Sequence, residues 1–139
     1  MNLSRQAIID EALRLGFADV GFTTADPFAQ HRAYLEERAE AYDWAEAVGL
    51  DLRGGTDPRT ILPEARTIIV LIENYFRRSF PASMERFFGR CYLDDDRLTR
   101  DGLSVRIKDF RNFLRENGIQ NKVPFNLPHR VAAARAGRV

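Results

Sequence analysis

Residues 67–72 are apolar or β-branched at every position, and polar residues bound the run on both sides. A short apolar run without alternation predicts a strand covered on both faces, as in the centre of a sheet flanked by helices. Glu73, Asn74 and Tyr75 follow at its carboxyl end, the place where open α/β sheets hold their ligands. Before it, Ile8, Ile9, Ala12 and Leu13 recur at helical spacing between Ser4 and Gly16, which predicts a first helix with an N-cap and a C-terminal stop. Asp19 to Thr24 reads as a strand in which Gly21 allows another segment to approach closely. Asp26 and Pro27 then suit a helix start, and Tyr34, Leu35, Arg38, Tyr42 and Ala45 predict one long helix ending near Val48 and Gly49.

Gly49 to Thr56 holds three glycines and reads as a flexible connection. The pair Gly54 and Gly55 has no preceding strand and no following Lys-Ser/Thr, so it is neither a P-loop nor a dinucleotide fingerprint. Asp57 with Pro58 can start a short turn or helix, and Leu62 to Ala65 makes another turn before the apolar strand. Phe76 to Asp101 shows no sustained period. Leu103, Ile107, Phe110 and Leu114 then form one helical stripe closed by Asn117 and Gly118. Ile119 to Phe125 predicts a strand with Pro124 at an edge or end, and Pro128 opens a last helix through Arg135. The whole predicts an α/β fold, a three-layer sandwich with a small central mixed sheet flanked by helices.

Chemistry is bounded mostly by exclusion. The 21 basic and 20 acidic residues give a net charge of +1, so there is no global field for nucleic acid. No signal-peptide pattern and no apolar run of membrane-spanning length occurs, and a cytoplasmic protein without membrane contact is expected. Cys91 is the only cysteine, which excludes a [4Fe–4S] cluster held by this chain alone and any multi-cysteine zinc site. His31 and His129 lack paired-ligand spacing, and no protein-only metal site is expected. Asp94, Asp95 and Asp96 read as a solvated turn rather than a cation site.

Several residues are candidates for binding. Asn74 and Tyr75 suit a pocket by hydrogen bonding to amide or carbonyl groups, although Tyr75 could equally just bury its ring. Arg59 could pair with a phosphate or carboxylate, or tie down its turn. Arg90 and Tyr92 form an arginine-aromatic pair of the kind that contacts ligands, with Cys91 between them as a packing residue or a reactive thiol. His129 and Arg130 stand at a helix start, where an anion can be met.

Three patches, in order, resemble the N-terminal cobalamin-binding half of epoxyqueuosine reductases and of related iron-sulfur corrinoid proteins. They are residues 15–22; Asp57, Pro58, Arg59, Leu62, Pro63, Ala65 and Arg66 with the strand ending at Asn74 and Tyr75; and residues 126–137. The last patch is similar to a segment of the reductive-dehalogenase-like branch. The resemblance implies an oxidoreductase family in which cobalamin does the chemistry and ferredoxin-type clusters supply electrons. With that resemblance, Asn74, Tyr75, Arg90, Asn126, His129 and Arg130 are the expected corrinoid contacts. The family continues into a glycine-rich turn and cysteine motifs, whereas this chain reads Gly137, Arg138, Val139. One incomplete domain spanning residues 1–139 is therefore expected, completed by a ferredoxin-like portion or subunit.

Epoxyqueuosine reductases also carry an aspartate general acid where this chain has Phe125, Asn126 and Leu127. An asparagine cannot donate a proton as a carboxylic acid does. Tyr75 or Tyr92 is the expected substitute donor, and a small molecule rather than tRNA is the expected substrate. Two readings stay open: a corrinoid-binding portion that cannot turn over alone, and a non-catalytic module that keeps the fold and engages a small ligand or a protein. A chain cut through its domain would also be expected to cover its open face by self-association.

Overall fold

The computed structural model describes residues 3–74, 81–84, 86–87 and 102–138. Its elements are α1 (Arg5–Arg14), β1 (Asp19–Thr24), α2 (Ala29–Glu37), α3 (Ala39–Ala47), a 3-10 turn at Gly54–Thr56, α4 (Pro58–Ile61), β2 (Thr67–Ile72), α5 (Leu103–Glu116) and α6 (His129–Arg135). The class is α/β, as the sequence predicts. Where a mixed sheet is expected, the described residues contain two strands, β1 and β2. The Ala18 amide donates to the Ile72 carbonyl and the Ala25 amide to the Arg66 carbonyl, so the pair runs antiparallel.

The chain divides into two compact units, one of Met1–Val20 with Leu71–Gln120 and one of Gly21–Val70 with Asn121–Val139. In the first, Ser4 Oγ accepts the Ala7 amide at the start of α1, and Gly16 takes φ 92° at its end. The buried Ile8, Ala12 and Phe17 meet α5, where Phe110 and Leu114 are buried and Phe17 packs edge-on against the Phe110 ring. Leu13, read as part of the apolar face, is instead 48% exposed. Gly118 at φ 78° and the Ile119 amide bonded to the Leu114 carbonyl close α5, the glycine stop that the sequence predicts.

The second unit corrects several expectations. Pro27 does not open a helix: the buried Phe28 precedes α2 and donates its amide to the Thr56 carbonyl. The single long helix is broken at Arg38, which leaves helical geometry at φ −113° and ψ 31°. Leu35 and Ala45 are the buried residues of α2 and α3. On one continuous helix these positions, ten residues apart, would face about 80° away from each other. The break lets both face inward. His31, Tyr34 and Tyr42 form a chain of ring contacts, and Arg38 lies 4.5 Å over the Tyr34 ring. Hydrogen bonding by Tyr34 holds the Tyr42 phenol above its ordinary pKa.

Gly49 to Thr56 is pinned rather than flexible. Asp51 Oδ1 accepts the Gly54 amide at 2.7 Å, the buried Thr56 donates its hydroxyl to the Arg53 carbonyl, and Arg53 reaches Asp43 and Glu46. The expected strand at Ile119 to Phe125 does not form. Val123 is 53% and Phe125 93% exposed, so the apolar alternation there has no core to face, and Pro124 lacks an amide for a ladder. β2 forms as predicted, but Thr67 is exposed and Ile68 to Ile72 are half-buried where full cover was expected. Asp57 caps α4 through the Arg59 amide, with Pro58 at the first helical position, as the sequence predicts.

Candidate functional site

The carboxyl end of β2 is built by α5. Arg106 donates through both terminal nitrogens to the two Glu73 carboxylate oxygens, at 2.8 and 2.6 Å. Its guanidinium also lies 5.1 Å from the Phe17 ring centre. The two side chains are only 12% and 18% exposed, so this fork is shielded from water and fixes the chain one residue before Asn74. Asn74 itself is exposed. Tyr75, Arg90, Cys91, Tyr92 and Asp94 to Asp96 lie outside the described residues.

The other candidates belong to the second unit, at the turn into α6. Asn126 Nδ2 donates to the Asp51 carbonyl at 2.8 Å, and its own main-chain carbonyl sits where a Cβ on Gly55 would stand. Gly55 thus admits the Asn126 backbone where a side chain would clash. His129 Nε2 donates to the Pro124 carbonyl at 2.9 Å. Arg130 is exposed. Arg59 approaches Asp26 at 3.8 Å, with both side chains largely exposed.

Arg135 was missed by sequence reasoning. Its guanidinium donates to Thr23 Oγ1 and to the carbonyls of Thr24 and Asp26, and lies 3.9 Å over the Phe28 ring. It locks α6 to the end of β1. Beside it, a Cβ on Gly21 would come within 2.7 Å of Arg138 and 3.0 Å of Ala136, the close approach that a strand glycine signals. Arg106 was missed likewise, and its only signal is an arginine at the edge of the α5 apolar stripe.

Among the described residues, no three His, Cys, Asp or Glu side chains cluster to hold a metal ion. No described helix is long and apolar enough to cross a membrane. An open depression in the second unit is lined by Glu46, Gly49 and Asp51, none of them a candidate read from the sequence.

No family model and no solved structure matches the chain. Among curated proteins, epoxyqueuosine reductase of Staphylococcus aureus (strain NCTC 8325 / PS 47) is 40% identical over 75 residues, which covers 51% of this chain. The match spans 19% of that relative's length. The chain is thus similar, over about half of itself, to a limited part of epoxyqueuosine reductase.

Proposed function

We propose that this chain is the N-terminal corrinoid-binding portion of an iron-sulfur-dependent reductase similar to epoxyqueuosine reductase or the reductive dehalogenases. The identity of 40% over 75 residues to epoxyqueuosine reductase carries the reading. The donor set is compatible with the group. A corrin ring is edged with amide side chains, and Asn74 and Arg130 are exposed side chains able to hydrogen bond to amides. Asn126 keeps its Oδ1 for the same purpose, with no hydrogen bond to it among the described residues. His129, exposed and bonded through Nε2 to the Pro124 carbonyl, is a further proposed contact. Tyr75 and Arg90 complete the proposed contacts.

When bound, cobalt supplies the reductive chemistry, and the protein holds and orients it. A [4Fe–4S] cluster does not fit this chain, which has one cysteine where four thiolates are needed. Electrons come, in this reading, from a ferredoxin-like portion or subunit, and the chain alone does not turn over. Tyr75 or Tyr92 gives the proton that Asn126 cannot. The substrate is a small molecule, and the setting cytoplasmic. Asn126, where the family carries an acid, also favours a second reading, a non-catalytic module that keeps the fold and engages a small ligand or a protein. Calorimetric titration of the purified chain with cobalamin tests the first. Saturable one-to-one heat is expected, and no heat contradicts it.

A further inference from the structure

The outer face of α3 carries an apolar stripe that the fold leaves uncovered. Trp44 is 62% exposed and Val48 72% exposed, and the Val48 amide bonds back to the Trp44 carbonyl, so the two stand one turn apart on the same side. Ala41, three residues before Trp44, and Ala47 are exposed as well. Spacings of three and four through 41, 44 and 48 form the stripe by which one helix seats against another. The alanines let a partner approach closely, and tryptophan is the side chain that most often anchors an interface.

Carboxylates outnumber cations beside the stripe, with Glu37, Glu40, Asp43 and Glu46 against Arg38 and Arg53. Arg53 occupies Asp43 and Glu46, and Arg38 is held over Tyr34. Glu37 and Glu40 are exposed and have no ion-pair partner among the described residues. Glu40 lies one turn before Trp44, at the margin of the stripe.

We infer that this face docks a protein helix that presents an apolar stripe flanked by lysine or arginine. The free carboxylates would repel an anionic bilayer. A second copy, approaching through the same face, would set Glu40 against an equally acidic margin.

The test uses the full chain and a fluorescein-labelled amphipathic peptide with leucines at helical three-four spacing and lysines beside them. A peptide of the same composition in shuffled order and one with glutamates for the lysines are the comparisons. Saturable anisotropy binding is expected for the first peptide only. It should weaken at least about tenfold in Trp44→Ser and in Glu37→Lys/Glu40→Lys, and fall with added salt. With unlabelled peptide, the emission of Trp44, the only tryptophan, should shift to the blue. Equal binding of the shuffled peptide, or unchanged affinity in both variants, overturns the inference. So does a peptide-free dimer in sedimentation that Trp44→Ser abolishes, because the occupant is then a second copy.

Discussion

The main-chain carbonyl of Asn126 lies over the α-carbon of Gly55, in the space that any side chain there would take. The two glycines of this loop therefore differ in what a methyl group would cost. On Gly54 it would meet the Asp51 carboxylate, an exposed side chain that can swing aside only by giving up its bond to the Gly54 amide. On Gly55 it must displace backbone. Gly55→Ala should destabilise the protein by about 2 kcal/mol and Gly54→Ala by less, through overpacking against an element that cannot move freely. Urea denaturation of both variants checks the order.

Legibility from sequence followed the range of the interaction. The α5 stripe with its Asn117–Gly118 stop, the Asp57–Pro58 cap and the β2 run are local patterns, and each forms where it is read. The break at Arg38 is not local, because it answers to burying Leu35 and Ala45 together. Ile119 to Phe125 has strand composition but finds no ladder, and Phe125 ends in solvent. The least legible parts are the arginines. Arg106 and Arg135 read as solvated helix charges until Glu73, 33 residues away, and Thr23, 112 residues away, are brought to them.

Arg106→Met leaves the Glu73 carboxylate without its fork in a site largely shut from water. A loss of about 2 kcal/mol is expected, and Glu73→Gln with Arg106→Met together should recover part of it, because the uncompensated charge is then removed. Thermal unfolding of the single and double variants measures this coupling.

Arg135→Lys keeps the charge but cannot reach three acceptors while covering the Phe28 ring. The variant should lose about 1 kcal/mol of stability, and Arg135→Ala more. Hydrogen exchange at the amides of β1 and α6 should rise in the same order.

Glu11 accepts two hydrogen bonds from Arg14, at 2.7 and 2.6 Å. These bonds hold its carboxyl below the usual carboxylate range, with burial opposing and the Arg14 charge assisting. A depressed folded pKa means that the contribution is present above the unfolded value and is lost as pH falls through the folded one. Arg14→Gln should move the Glu11 midpoint upward in an NMR titration and remove that acid-side dependence. An unmoved midpoint would assign the shift to another cause.

The central claim is that the carboxyl end of β2 serves a corrinoid. Equilibrium dialysis of cobalamin against the purified chain, read by its visible absorption, tests it most directly with Asn74→Ala alongside. The account predicts retention by the natural sequence and about tenfold weaker retention by the variant, roughly 1.4 kcal/mol. Equal cobalamin on both sides of the membrane, or retention indifferent to Asn74, would contradict it.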